Sequence, residues 1–137
     1  MRPIIARTDR AYVMLLKGEE ALLIRNWLGR QEPHLPGGGI KKNESPAHAA
    51  ARELEEELGI IVNNSSLSKL NSGRWLTDKL RFSYTIFMAE FPQDQTIKAR
   101  KFEIISHAWI GLDDLAAAGS PAEIIEAAGR AGTSAKR

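Results

Sequence analysis

The 137-residue sequence contains no cysteine, which excludes disulfide bonds, a thiolate metal site and a cysteine nucleophile. It also lacks the run of about 18 apolar residues that a membrane-spanning helix needs, and its start, MRPIIARTDR, has no apolar signal-peptide region. We therefore expect a cytoplasmic protein without a membrane partner. Neither charge is in large excess: the formal net charge is +2, which argues against a nucleic-acid partner.

Common catalytic motifs are missing as well. The glycines at positions 37–39 are not followed by the Gly-Lys-Ser/Thr of a phosphate-binding loop. The three histidines and the scattered serines form no local nucleophile motif. No internal repeat or low-complexity segment is present, and 137 residues with 43% hydrophobic content suffice for one core. The sequence predicts a single domain over residues 1–137.

The most informative segment covers residues 35–60 and reads LPGGGIKKNESPAHAAARELEEELGI. Ser45 followed by Pro46 is typical of a helix start, because the Ser hydroxyl can cap a backbone N–H and Pro lacks the N–H that would go unbonded. Gly59 is the corresponding helix end. Apolar residues recur between these positions at helical spacing and predict a stripe that faces the core: Ala47, Ala50, Ala51, Leu54 and Leu58.

Acidic side chains crowd another face of the same helix. Glu53, Glu56 and Glu57 stand at i, i+3 and i+4, and Glu44 lies just before the helix. A solvated acidic face normally alternates with Lys or Arg, but Arg52 is the helix's single Lys or Arg residue. Carboxylates this close resist ionising together unless a cation lies among them. The pattern therefore predicts a site for a hard divalent cation, and Mg²⁺ is the usual ion where phosphate is also bound.

Residues 38–60 resemble the Nudix box of the Nudix hydrolase family at every fixed position. In order these positions are Gly38, five residues, Glu44, seven residues, Arg52-Glu53, aliphatic Leu54, any residue, Glu56-Glu57, any residue, Gly59 and aliphatic Ile60. The resemblance implies an α/β fold, the α/β/α sandwich of this family with a mixed, partly antiparallel sheet. It also implies an enzyme that hydrolyses a nucleoside diphosphate linked to another moiety, and leaves the substrate open.

The resemblance also implies roles for individual residues. The implied ligands of Mg²⁺, or of Mn²⁺ in its place, are Glu53, Glu56, Glu57 and, directly or through water, Glu44 and the carbonyl of Gly38. Arg52 resembles the family arginine that fixes a catalytic carboxylate by a charge-assisted hydrogen bond. Asn43 stands where many members have Gly, and Asn can adopt the left-handed conformation that a turn requires.

A further carboxylate from outside the box often completes the site in this family. Glu103 lies in what resembles the corresponding loop, and Glu90, at a strand end, is the alternative. A solvated loop residue remains a competing interpretation of Glu103. In the mechanism that we expect, the metal ion activates a water, Glu57 or Glu103 takes its proton, and no covalent intermediate forms.

The candidate substrate contacts are Arg81, Lys41, Trp27 and Arg74. The two arginines are placed to reach a substrate phosphate, although single arginines on sheets are usually solvated or paired. Lys41 has the competing interpretation of a solubilising charge. Trp27 at a strand end more often covers the core than stacks on a nucleobase. For His34 we expect a structural or outer-shell role rather than a metal ligand.

The rest of the chain predicts strands and further helices. Two apolar runs, 11–16 and 21–26, flank a turn at 17–20 and predict a hairpin. Further strands are predicted at 60–62, 67–75, 80–91 and 107–110, followed by a helix near Leu112. Ser120-Pro121 repeats the helix-start pattern and begins the last helix. The tail from about residue 131 is expected to be disordered.

Three functions are therefore considered. The first is hydrolysis of a small nucleotide: a nucleotide sugar, ADP-ribose, a dinucleoside polyphosphate or a damaged nucleoside triphosphate. The second is a catalytically silent, nucleotide-binding sensor, which the complete set of acids disfavours. The third is an RNA 5′-end pyrophosphohydrolase, which needs a basic surface such as the charges between Lys98 and Lys101. The oligomeric state, including a homodimer, is left open.

Overall fold

The computed structural model describes residues 9–26, 33–76, 81–99, 104–117, 120 and 122–135. Its strands and helices in chain order are β1 (Arg10–Lys17), β2 (Glu20–Asn26), β3 (Gly37–Gly39), α1 (Pro46–Leu58), β4 (Ser68–Leu76), β5 (Arg81–Glu90), β6 (Ile104–Gly111) and α2 (Ala122–Ala135). Short 3₁₀ helices follow α1, at Asn64–Ser66, and β6, at Leu112–Asp114.

The strands form one mixed sheet in the order β4-β5-β1-β2-β6, and β3 pairs with the first half of β1. The β1–β5 pair is parallel and the other pairs are antiparallel. The predicted hairpin of β1 and β2 is confirmed. Its tight turn contains Gly18, whose φ of 61° lies in the left-handed region that glycine adopts without a steric penalty.

Alternate residues of β1 divide the core between the two faces of the sheet. Ala11, Val13 and Leu15 pack with the apolar residues of α1. Tyr12 and Met14 pack on the opposite face, with the apolar residues of α2. Because successive side chains of a strand point to opposite faces, one buried strand serves both layers. The result is the predicted α/β/α sandwich with a mixed sheet.

Helix α1 begins and ends where the sequence predicts. The hydroxyl of Ser45 accepts a hydrogen bond from the backbone N–H of His48, and Pro46 occupies the first turn. Gly59 has a left-handed conformation with φ of 70°, and its N–H donates to the carbonyl of Glu55. These local caps set the two ends of the helix that carries the acidic residues.

Helix α2 continues to Ala135, where the sequence suggested a disordered tail from about residue 131. Ala131 is fully buried and follows Ala127 and Ala128 at the three- and four-residue spacing of one helical stripe. Arg130 donates to the carbonyl of Leu70 at 2.9 Å and ties this helix to β4. No helix within the described ranges is long and apolar enough to cross a membrane.

Three other predictions of elements or their boundaries were wrong. Residues 60–62 form no strand; Ile60 instead fills the core beneath α1 after the helix cap. The predicted helix near Leu112 is only the short 3₁₀ helix, and the strand before it begins at Ile104 rather than at His107. The strand is longer because β6 pairs with β2 from one end to the other. The prediction missed this extension, since such pairing cannot be read from the local sequence.

Candidate active site

Strand β3 and helix α1 bring the predicted acidic residues together. Gly37 and Gly38 pair with Tyr12 and Ala11 of β1, and α1 packs across β1 and β3. Glu53 and Glu57 lie one turn apart on α1, and each is only 8% exposed. The sequence pattern predicted that these carboxylates lie on a different face of the helix from the buried apolar residues. In the structure they lie at the edge of the apolar face, against the glycine strand.

The glycines of β3 allow the carboxylates to approach the backbone. Gly37 has φ of 152°, a conformation that favours glycine, and a Cβ there would overlap the carbonyl oxygen of Ala11. Its N–H donates to Oε1 of Glu57 at 2.8 Å. A Cβ on Gly38 would lie 2.5 Å from Oε2 of Glu53. Gly37 is therefore required by the packing of β3 on β1, and Gly38 leaves the space that the Glu53 carboxylate occupies.

Arg52 connects the remaining groups of the site. Its Nε and Nη2 donate to Oε2 and Oε1 of Glu44 at 2.8 and 2.9 Å. Its Nη2 also donates to the carbonyl of Gly39 at 2.9 Å. Its Nη1 lies 3.3 Å from Oε2 of Glu53 and 3.2 Å from Oε1 of Glu56. One guanidinium thus fixes the positions of three carboxylates and one carbonyl relative to each other.

Glu44 is held by Arg52 and by its own loop. The hydrogen bond from Arg52 lowers the pKa of Glu44 to about 2, and the N–H of Lys41 contributes a further bond of 2.9 Å to Oε1. The same ion pair raises the pKa of Arg52 above its ordinary value. Asn43 lies in the turn between Lys41 and Glu44 and has φ of 65°, so its expected left-handed conformation is confirmed. Glu44 is therefore ionised and oriented before any ligand binds.

The donors suit a hard divalent cation, although they do not converge on one point. Within the described residues no three His, Asp or Glu side chains are close enough to hold a metal ion, and the Arg52 guanidinium lies beside Glu44, Glu53 and Glu56. The carboxylates of Glu44, Glu53, Glu56 and Glu57 supply only oxygen donors, as Mg²⁺ prefers. Their combined negative charge exceeds the single positive charge of the Arg52 guanidinium. The Glu56 side chain is 44% exposed, so it can rotate toward an ion at little cost.

Glu90, the alternative extra carboxylate, does not join this cluster. It pairs with Leu16 at the end of β1, whereas Gly38 pairs with Ala11 near the start. Five residues along a strand correspond to about 16 Å. Glu90 also alternates with the residues of β5 that face α2, so it lies on the other side of the sheet from α1. The reason is the β1–β5 register, which the sequence does not reveal.

The predicted substrate contacts are only partly placed. Lys41 is exposed directly after β3, beside Glu44. Arg74 is exposed on β4 opposite Ser83, on the face of the sheet that packs against α1. The backbone of Arg81 begins β5, and its side chain lies outside the described part of the chain. Trp27 and Glu103 also lie outside the described residues.

Two backbone groups of the site, on Gly37 and Gly39, were missed by sequence reasoning. The N–H of Gly37 orients Glu57, and the carbonyl of Gly39 accepts from Arg52. The signal was the run of three glycines shortly before an acidic helix. His34 is buried, and its backbone exchanges two hydrogen bonds with Ile24, at 2.8 and 2.9 Å.

Residues 6–128 match the NUDIX domain family, and the chain therefore belongs to the Nudix family of hydrolases, enzymes that act on acid anhydrides. The RNA pyrophosphohydrolase of Saccharophagus degradans is 38% identical over 69 residues, which are 50% of this chain and 40% of that relative. The alignment thus spans less than half of the relative's length.

Solved structures agree on the fold. The MutT Nudix hydrolase from Burkholderia pseudomallei has a TM-score of 0.76 at 20% identity, covering 90% of this chain and 97% of that one. An Ap4A hydrolase of C. elegans has a TM-score of 0.76 at 19% identity, covering 92% of this chain and 96% of that one. At such identities the likeness shows the fold alone.

Proposed function

We propose that this protein hydrolyses a phosphoanhydride bond in a nucleoside diphosphate linked to another moiety, in a reaction that depends on Mg²⁺. The observation that carries the proposal is the position of Arg52, which binds Glu44 and the Gly39 carbonyl and contacts two acids of α1. Acidic residues on a solvated helix face are not usually held together by one arginine that also binds a backbone carbonyl. Family membership supplies the reaction class, and this geometry supplies the candidate residues.

The proposed metal ligands are Glu53, Glu56 and Glu57, with Glu44 and the Gly38 carbonyl as further oxygen donors. Mg²⁺ is the expected ion and Mn²⁺ the alternative. When bound, the ion neutralises charge on the diphosphate and lowers the pKa of the attacking water. Arg52 keeps Glu44 and Glu53 in fixed orientations, so little ordering of side chains is needed when substrate arrives.

Proton transfer falls to a carboxylate of the chain. Glu57 is oriented by the N–H of Gly37, which binds Oε1 at 2.8 Å. A carboxylate in a fixed orientation can accept the proton of an attacking water within hydrogen-bonding reach. Glu103, the other candidate, belongs to a different segment of the sequence. Substrate phosphate and base contacts are assigned to Lys41, Arg74, Arg81 and Trp27 as part of the same proposal.

A second candidate is removal of pyrophosphate from the 5′ end of RNA. The observation that favours it is the 38% identity to a protein named RNA pyrophosphohydrolase. The reaction at the acids would be the same, and the difference lies in how the rest of the substrate is held. Lys98, exposed in the loop before β6, begins the basic stretch that we considered for such a substrate.

A substrate panel with Mg²⁺ tests these functions. It contains ADP-ribose, a nucleotide sugar, a dinucleoside polyphosphate, an oxidised nucleoside triphosphate and 5′-triphosphorylated RNA, with nucleotide and phosphate products quantified. We expect hydrolysis of at least one small nucleotide by the wild type and loss of that activity in Glu56→Gln. Glu55→Gln is the matched control, since Glu55 is an exposed acid on the same helix. RNA as the preferred substrate would support the second candidate. Nucleotide binding without turnover would support the sensor.

A further inference from the structure

The guanidinium of Arg52 makes two kinds of contact. Its Nε and Nη2 donate to the two oxygens of Glu44 and to the carbonyl of Gly39, at 2.8 and 2.9 Å. Its Nη1 makes longer contacts, at 3.3 Å to Oε2 of Glu53 and at 3.2 Å to Oε1 of Glu56. These contacts use every N–H donor of the side chain. The loop therefore holds the Nε and Nη2 side closely, and Nη1 is the nitrogen that meets the acids of α1.

Glu56 is the acid of this group with the most freedom to move. Its side chain is 44% exposed, against 10% for that of Glu53. Within the part of the chain that the structure describes, Arg52 is its one hydrogen-bonding or ion-pair partner. Glu53 and Glu57, in contrast, are buried and lie against the glycines of β3. Any rearrangement of the acids therefore falls to Glu56.

The Arg52–Glu56 contact is better explained by charge than by helix stability. The two residues are at i and i+4, but the arginine comes first, which is the less favourable order on a helix. Glu53 and Glu56 are one turn apart and repel each other, and Nη1 lies within 3.3 Å of an oxygen of each. Nη1 thus serves as a counterion shared by the two carboxylates.

Binding of one ion by these acids requires the contact to break. In the described ranges no three His, Asp or Glu side chains are close enough to hold a metal ion. Because Glu53 and Glu57 are held against β3, Glu56 has to turn away from Nη1 to join them as a ligand. Its release costs little, since ion pairs at exposed side chains contribute little to stability.

We propose that Nη1 of Arg52 is the counterion of Glu53 and Glu56 until a divalent cation binds, and that Glu56 then exchanges Arg52 for the ion. The bonds from Nε and Nη2 to Glu44 and Gly39 persist through this exchange, so the loop stays attached to the helix. The inference rests on the proposed metal-dependent function and adds a sequence of events to it. Glu53 is in place before the ion arrives, and Glu56 completes the site afterwards.

Nitrogen NMR spectra of the Arg52 side chain test the exchange in the wild type, because Nε and the Nη atoms give separate signals. The signals are assigned by their loss in Arg52→Lys, and calorimetry on the same samples measures Mg²⁺ binding. During a Mg²⁺ titration we expect the Nη signals to move and the Nε signal to keep its position. Binding of Mg²⁺ with unchanged Nη signals overturns the inference and leaves the proposed function standing. A change of the Nε signal as large as that of the Nη signals also overturns it.

Glu56→Ala provides the second test, with Glu55→Ala as the matched change at the neighbouring exposed acid. Without Mg²⁺ we expect the Nη signals of Arg52 to be displaced in Glu56→Ala and to coincide with those of the wild type in Glu55→Ala. At saturating Mg²⁺ the ion should move them less than half as far in Glu56→Ala as in the wild type. Nη signals of Glu56→Ala at wild-type positions without Mg²⁺ overturn the inference. If the wild type binds no Mg²⁺, it is the proposed function that fails, and the exchange fails with it.

Discussion

The guanidinium of Arg52 and the carboxylate of Glu44 form a two-point ion pair, with Nε 2.8 Å from Oε2 and Nη2 2.9 Å from Oε1. The planar fork of Arg matches both carboxylate oxygens at once. Glu44 lies in the loop before α1 and Arg52 two turns into the helix, so the pair ties the loop to the helix. Arg52 also contacts Glu53 and Glu56, and the arrangement of the site therefore depends on this pair.

Arg52→Lys should lower activity despite conserving the charge. A lysine ammonium cannot bind both oxygens of Glu44 and the Gly39 carbonyl together, so the acids lose their fixed orientation. We expect kcat to fall on the order of 10²-fold, and the free energy of unfolding to fall by about 2 kcal/mol. Steady-state kinetics and urea unfolding measure the two effects. Arg130→Lys, at an exposed ion pair with Glu126, is the control and should change activity little. Equal activity of both variants would contradict the role of Arg52.

The ion pair should also be visible in the pH dependence of stability. The folded-state pKa of Glu44 is about 2, against an ordinary value of 4.5. A depressed folded pKa stabilises the protein above the unfolded value, and that contribution is lost as the pH falls from about 4.5 to about 2. The free energy of unfolding should therefore decline more steeply over this range in wild type than in Glu44→Gln. Parallel curves for the two proteins would show that the pair contributes nothing to stability.

Gly38→Ala tests the close approach of Glu53 to β3. The new Cβ would lie 2.5 Å from Oε2 of Glu53, so the carboxylate must move. We expect a fall in kcat of at least about 10-fold with the fold retained, as measured by kinetics and circular dichroism. Gly129→Ala in α2 is the matched change, because a Cβ there meets nothing within 4 Å. It should leave activity unchanged and raise stability by up to about 1 kcal/mol. An active Gly38→Ala variant would remove Glu53 from the proposed site.

Mg²⁺ should raise the melting temperature of the wild type, because an ion that binds only the folded state stabilises it. At a concentration of about 100 times Kd, the expected gain is about 2.7 kcal/mol. Glu57→Gln can keep the hydrogen bond from Gly37 through its amide oxygen, so it should fold normally yet gain much less from Mg²⁺. Glu55→Gln should respond as the wild type does. If Glu57→Gln responds as strongly as Glu55→Gln, Glu57 is not a ligand.

Local chemistry made α1 predictable from sequence. Ser45, Pro46 and Gly59 act on their own neighbours, so the ends of the helix could be read without knowing the fold. The helical spacing of Glu53, Glu56 and Glu57 likewise predicted that these acids share one face of the helix. The burial of Glu53 and Glu57 could not be predicted, because it depends on β3, which is held by pairing with β1.

Contacts between distant segments account for the remaining differences. The side chain of Gln95 binds the backbone of Ile61, 34 residues away, and no local pattern predicts this contact. The register of β1 on β5, which separates Glu90 from the acids, is also set by tertiary packing. The extension of α2 past residue 131 depends on the core that covers Ala131. Sequence reasoning thus pointed to the acids and to Arg52 as candidates and missed the backbone groups of Gly37 and Gly39 that bind them.

The last prediction separates Glu103 from Glu90. The acids of α1 project from one short segment, whereas in-line attack on phosphorus also needs a group that orients water away from the leaving phosphate. A carboxylate from another segment meets that need.

Glu90 lies about 16 Å along the strand from the level of Gly38 and on the opposite face of the sheet, so Glu90→Gln should keep wild-type kcat. Glu103→Gln should lower kcat strongly while the apparent Mg²⁺ affinity is unchanged, because the helix acids still hold the ion. Measuring kcat and Mg²⁺ affinity for both variants decides the assignment: a wild-type rate for Glu103→Gln leaves Glu57 as the base, and a slow Glu90→Gln enzyme contradicts the placement of that residue.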